Sequence, residues 1–139
     1  MIQKASCYAY TFVLHAERIK VNGTFYEWEW VNPLLEPGIE YRTTERYKGK
    51  SVYTKLVNTG ALPNNATTGL IYAENATALV SAIGKVLANG IEHPLPFFNK
   101  DTGGLEASIF QRSGNWVYIS TFADLSAYTA DITVKYTKD

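Results

Sequence analysis

The sequence predicts an all-β chain, an antiparallel β-sandwich or jelly-roll-like barrel, and three observations carry that expectation. Residues alternate with period two over several stretches, most clearly Ile39 to Tyr47 and Ser51 to Asn58. Turn-forming groups built on Asn, Gly and Pro punctuate the chain at short intervals. Ten Tyr, six Phe and three Trp in 139 residues favour pleated surfaces, and nothing alternates strand with helix as a parallel sheet would require. The length suits a single domain, so residues 1–139 are taken as one β-rich unit, with 1–37 as an N-terminal hairpin region.

Taken in order, Cys7 to Leu14 is aromatic and β-branched enough for a strand, and Glu17 to Val21 for a second, which closes at Asn22-Gly23, a strong hairpin signal. Thr24 to Trp30 then alternates, with Phe25, Glu27 and Glu29 on one side and Tyr26, Trp28 and Trp30 on the other. Three neighbouring aromatics predict cover by the core or by another subunit, because contiguous apolar patches are rare on soluble monomers; an exposed ligand platform is the alternative. Val31-Asn32-Pro33 and Glu36-Pro37-Gly38 break the ladder. Ile39 to Tyr47 places Ile39, Tyr41, Thr43, Glu45 and Tyr47 opposite Glu40, Arg42, Thr44 and Arg46. Lys48-Gly49-Lys50 reads as a three-residue connection with Gly49 at positive φ, and Ser51 to Asn58 returns as the second arm of a hairpin. Thr59-Gly60 and Pro63-Asn64-Asn65 end that strand.

Thr68 to Tyr72 is a short strand, and Glu74-Asn75-Ala76 a turn. Ala78 to Ala88 fits both periods. Leu79, Ile83, Val86 and Leu87 have helical spacing, with Thr77 as N-cap and Gly90 as a stop, while Leu79, Ser81, Ile83, Lys85 and Leu87 alternate as a strand. His93 to Phe98 is held extended by Pro94 and Pro96, and Asn99 to Gly104 is a polar loop. Leu105 to Arg112 and Trp116 to Phe122 flank Ser113-Gly114-Asn115 as a second compact hairpin. Asp124 to Ala127 connects to a last strand, Asp131 to Thr137, with Ile132, Val134 and Tyr136 on one side. The total is nine or ten strands.

The segments EYRTTERYKGKSVYTK (Glu40 to Lys55) and NTGALPNN (Asn58 to Asn65), with Val31-Asn32-Pro33, Pro94-Leu95-Pro96-Phe97 and the run from Ala127 to Lys138, carry a family likeness. They resemble the C-terminal domain of tail-fibre and receptor-binding proteins from phages and prophages of Gram-positive bacteria. Residues 1–37 are less like that family. The resemblance implies a homotrimeric head at a fibre tip, contact with other tail proteins, and binding of a host cell-surface polysaccharide or other receptor. It also implies residence in the virion after synthesis in the bacterial cytoplasm, and a helical turn near Asn75 to Leu79 followed by a strand to Ala88. Asp124 and Tyr128 stand where the family commonly has an Asp-Arg-Ser followed by an aromatic; here Leu125 replaces the arginine.

Thirteen basic residues balance thirteen acidic ones, so no basic excess marks a nucleic-acid binder. Cys7 is the single cysteine, which rules out an intrachain disulfide and a cysteine-based zinc site and suits folding in a reducing compartment. No apolar run reaches the roughly 18 residues that would span a bilayer, and Ala5 to Leu14 reads as a mature strand rather than an export signal. Nucleophile-elbow, zinc-helix, phosphate-loop and calcium-loop motifs are missing, so an enzyme is not expected. His15 and His93 lack partners at ligand spacing, and no cofactor is expected.

Glycan cleavage would need two carboxyl groups about 5–10 Å apart. Among Glu40, Glu45, Asp124 and Asp131, the spacing of Arg42, Glu45 and Arg46 predicts cross-strand ion pairing instead. Sugar binding needs less, an aromatic face and fixed polar groups. Arg112, Asn115 and Trp116 form the first candidate set, with Trp116 alternatively a core plug; Tyr47 and Lys48, with Lys50, form a second at the hairpin tip, and Asp124 and Tyr128 a third.

Overall fold

A computed structural model describes residues 1–9, 12–111 and 115–139, and every helix-or-strand element among them is a strand. In order these are β1 (Ile2–Ala9), β2 (Phe12–Val21), β3 (Thr24–Phe25), β4 (Glu29–Trp30), β5 (Glu40–Tyr47), β6 (Lys50–Ala61), β7 (Thr67–Ile71), β8 (Ala76–Ala88), β9 (Ile91–Pro94), β10 (Phe97–Phe98), β11 (Leu105–Gln111), β12 (Trp116–Thr121) and β13 (Thr129–Lys138). The large sheet runs β1-β2-β4-β5-β6-β13-β8-β9, with β3 attached to β2, and the small sheet runs β10-β11-β12-β7. Pairing is antiparallel apart from the contact of Trp30 with Thr43 and the Pro37–Leu56 bridge. Both sheets have open edges, so the arrangement is sandwich-like and not a closed barrel.

Alternation along β13 becomes burial: Ala130, Ile132, Val134 and Tyr136 are fully buried, while Asp131, Thr133 and Lys135 are only half-buried. Facing them, Tyr72, Val117, Leu70 and Ile109 close one part of the core. Val86, Ala88, Ala107, Ile119, Leu62 and Leu125 close the other. Behind the large sheet, Tyr41, Thr43, Val52 and Thr54 are also buried. The Pro-rich connection before β5 runs past them: Val31, Pro33 and Leu35 line a small hollow of about 190 Å³ with Thr43 and Thr54, and the Trp30 ring meets Tyr41 edge-on at 5.9 Å.

Several expectations are corrected. Cys7 to Leu14 is not one strand but parts of β1 and β2, which pair antiparallel from Ile2–Ile19 to Ala9–Phe12; Tyr10 and Thr11 lie outside the described residues. Thr24 to Trp30 is broken into β3 and β4, because the register with β2 moves from Phe25–Lys20 to Glu29–Glu17 and gains a residue. The aromatics therefore do not share one covered face. Tyr26 and Trp28 are exposed, the Arg18 guanidinium lies 4.1 Å from the Phe25 ring centre and 4.6 Å from that of Trp28, and only Trp30 turns inward to Tyr41.

The central hairpin closes on two residues, with Tyr47 paired to Lys50 and both Lys48 (φ 49°) and Gly49 (φ 80°) left-handed. A two-residue turn of that hand matches the strand twist, so Lys50 belongs to β6. Thr59-Gly60 does not end β6. Asn58 pairs with Asp131 and Ala61 with Thr129, leaving one extra residue as a bulge at Gly60 (φ 65°), and the Thr59 hydroxyl accepts the Ala130 N–H. The expected helical turn at Asn75 to Leu79 is absent. β8 is strand from Ala76 because its backbone pairs with β13 from Lys138 to Thr129. Gly84 within it clears a path for Leu95, whose side chain a Cβ would meet at 2.9 Å. Gly90, expected only as a helix stop, forms with Asn89 a two-residue hairpin turn into β9.

Candidate functional site

The sequence-derived candidates do not converge on one place. Arg112 lies outside the described residues. Asn115 is half-buried, and its carbonyl accepts the Tyr72 N–H at 3.3 Å. Trp116 is 37% exposed, yet its ring is stacked on Tyr118 at 6.1 Å, and Tyr118 on Phe110 at 5.6 Å. That row lies on the outer face of the small sheet, with Trp116 and Tyr118 over Gly69, where a Cβ would sit 2.7 Å from Trp116. Tyr47 and Lys48 do come together, the ammonium 5.4 Å from the ring centre, beside a shallow groove of about 180 Å³ with Lys50, Thr77 and Thr137.

Asp124 and Tyr128 separate. Asp124 is exposed, and its carboxylate accepts both the Ser126 hydroxyl (2.7 Å) and the Ser126 N–H (3.1 Å), which holds its pKa below the usual aspartate value. Tyr128 instead lines a cleft of about 420 Å³ with Asn89, His93, Phe97, Phe98, Asn99, Lys100, Asp101 and Glu106. The cleft opens where the β8–β9 hairpin, an edge of the large sheet, meets β10 and its following loop, an edge of the small one.

Each wall has a local cause. Phe97 packs against the core cluster and carries the His93 ring 4.7 Å from its own, whereas the next residue, Phe98, points the other way and is 53% exposed, as period two requires. Asn99 starts the loop by accepting the Asp101 and Thr102 N–H groups on Oδ1 (2.9 and 3.1 Å), a local turn that Asn side chains favour. Its Nδ2 donates to Glu106 Oε1 at 2.7 Å. Asn89 Nδ2 donates to the Tyr128 hydroxyl at 3.4 Å, and Lys100 pairs with Asp101 at 2.5 Å on the rim. Rings for the apolar face of a sugar thus stand beside fixed amide, carboxylate and hydroxyl groups.

A second hollow, of about 290 Å³, lies under the exposed end of the large sheet. Ile19, Val21 and Tyr26 wall it above Glu29, which is almost fully buried. Arg46 donates to both Glu29 oxygens at 2.8 Å, and Arg42 donates to Glu29 (3.0 Å), Glu27 (3.1 Å) and Ser51 (3.1 Å). The cross-strand ion pairing expected of Arg42, Glu45 and Arg46 forms: the two arginines reach Glu29 on β4, and Glu45 binds Lys135 on β13 at 2.6 Å. Alternation along β5 sends the arginines and Glu45 to opposite sides of the strand. With its charges spent on one another, this hollow offers a ligand chiefly apolar walls.

Other candidate carboxylates are engaged structurally: Glu40 with the Tyr136 hydroxyl and Lys138, and Asp131 with Asn58 at 2.7 Å. Among the described residues no group of three His, Cys, Asp or Glu is placed to hold a metal ion, and no helix is long and apolar enough to cross a membrane. Sequence reasoning found Tyr128 but missed the rest of the cleft. Its signal was the Phe-Phe pair directly before an Asn-led polar loop, two features seen separately and not joined. Set against protein-family models, curated proteins and solved structures, the chain matches none.

Proposed function

We propose that this chain is the distal domain of a phage or prophage tail fibre, which binds a polysaccharide on the host surface without cleaving it. The observation that supports this best is the cleft, where the exposed Phe98 ring, Tyr128 and His93 stand beside Asn89, Asn99 and Glu106 in a space within the usual range for small-ligand sites. The family likeness of Glu40 to Lys55 and Asn58 to Asn65 supplies the biological setting. Three-fold repetition of a shallow site raises avidity through effective concentration, so the working form is a homotrimer joined to other tail proteins. Binding without cleavage is supported by the two carboxylates of the cleft: Asp101 is 73% exposed and paired with Lys100, and Glu106 is only half-buried and held by Asn99 at 2.7 Å, so neither is the isolated, desolvated acid that glycoside hydrolysis uses.

Glycan-array binding by the assembled protein, with mass from light scattering, is the test. Phe98→Ala is expected to weaken binding about tenfold, the order of one lost ring–sugar contact, with no reducing-sugar release from the bound polysaccharide. Silence across arrays of Gram-positive surface glycans, or a scattering mass near 15.5 kDa, rejects the corresponding half of the proposal.

A second reading is a module that trimerises or caps the fibre. It is favoured by the exposed apolar residues Ile2, Ile19, Val21, Phe25 and Tyr26 at the β1–β3 end, a surface suited to a neighbouring copy.

A further inference from the structure

Resting on the polysaccharide reading above, we infer that the cleft selects an uncharged hexopyranose unit and rejects units bearing carboxylate or phosphate. The selecting group is Glu106. Asn99 is locked in one orientation, since flipping its amide would set NH₂ against the two backbone N–H groups that Oδ1 now accepts. Its Nδ2 must therefore face Glu106 Oε1. Glu106 is half-buried, and its other oxygen, Oε2, has no hydrogen-bond partner among the described residues.

An ionised carboxylate only accepts hydrogen bonds, so a ligand that displaces water from that atom must bring a donor to it. A sugar hydroxyl does so. A uronate or phosphate oxygen brings instead a second acceptor and a like charge. No arginine lines the cleft to offset it; of the basic side chains that do, Lys100 has its ammonium on the rim, 88% exposed and already on Asp101, and His93 has its ring against Phe97 at 4.7 Å. The exposed Phe98 ring takes the C–H face of the same unit and is indifferent to charge.

The test compares a neutral hexose oligosaccharide found on the array with its C6-carboxylate counterpart, by calorimetry on the full chain in its solution assembly. The neutral probe is expected to bind at least tenfold tighter, and the gap should shrink in ~1 M salt, where the Debye length falls to about 3 Å. Glu106→Gln keeps the shape, loses a few-fold on the neutral probe and gains on the carboxylate, narrowing the ratio. Phe98→Ala weakens both alike and leaves the ratio intact, a pattern that a merely destabilised fold would not produce in the first variant alone. Equal or tighter binding of the carboxylate probe, or an unchanged ratio in Glu106→Gln, overturns this selectivity while leaving polysaccharide binding standing. Binding of neither probe type anywhere on the array overturns the underlying reading, and this inference with it.

Discussion

Two ends of the large sheet differ more than their sequences do. Under the small sheet, β13 buries every second side chain from Ala130 to Tyr136, and its neighbours β6 and β8 add Tyr53, Val57, Val86 and Ala88. At the other end, residues 1–6 and 21–28 are exposed, although Ile2, Ile19, Val21, Phe25 and Tyr26 are as apolar as many core residues. Period two is enough to make a strand. Burial needs a facing layer, and the small sheet does not extend beneath β1 to β4. There the structure relies on backbone pairing and on the Glu29–Arg42–Arg46 cluster, whose charges are satisfied internally. Two-stranded ribbons are marginal in water by themselves, so this end is the part a neighbouring copy would stabilise.

That contrast can be broken by mutation, beginning where the effect is greatest. Ile132→Ala empties a fully buried position and is expected to cost about 2–5 kcal/mol in denaturant unfolding. A cost under about 1 kcal/mol would mean that the two sheets do not clamp this strand.

Glu29→Ala strands two arginines. Because Arg42 and Arg46 side chains retain 24% and 40% exposure, the loss should fall below that of a fully buried pair, at about 1–3 kcal/mol. Hydrogen exchange should show it concentrated in β2 and β4 while β13 stays protected.

Tyr136→Phe sharpens the comparison through pH. Burial above all, and then the hydrogen bond and charge of Glu40, push the Tyr136 phenol far above its ordinary value of 10.0; burial raises Tyr72 as well. The folded state keeps a proton that the unfolded chain releases, so this contribution is complete below pH 10 and is lost as pH rises above it, by up to about 1.4 kcal/mol per pH unit for each phenol. The variant should lose about 1–2 kcal/mol at neutral pH and show a shallower alkaline decline. An unchanged alkaline slope would remove Tyr136 from the account.

The smallest effect is expected from Ile19→Ala, within about 0.5 kcal/mol for an exposed side chain of a monomer. A concentration-dependent loss of core size would be the more informative outcome, since it would place a second copy on this end.

The all-β class, the turns at Asn22-Gly23 and near Gly49, and the burial of Ile132, Val134 and Tyr136 were all legible in the chain, because they follow from local rules: side chains alternate along a strand, and few residues accept a left-handed backbone. Other features were decided only by long-range pairing. Ala78 to Ala88 fits a helix or a strand equally well until β13 supplies partners for its backbone. Tyr26, Trp28 and Trp30 share a face until a register shift against β2 divides them. Cross-strand pairing of Arg42, Glu45 and Arg46 was legible, but the partners, Glu29 on β4 and Lys135 on β13, are set by which strands lie beside β5. The cleft is the extreme case, since Asn89, Phe98, Glu106 and Tyr128 come from separate elements and meet only because two sheet edges close on each other. Backbone sterics act between neighbouring residues and so can be read from letters; which faces and edges meet depends on packing energies summed over the whole chain.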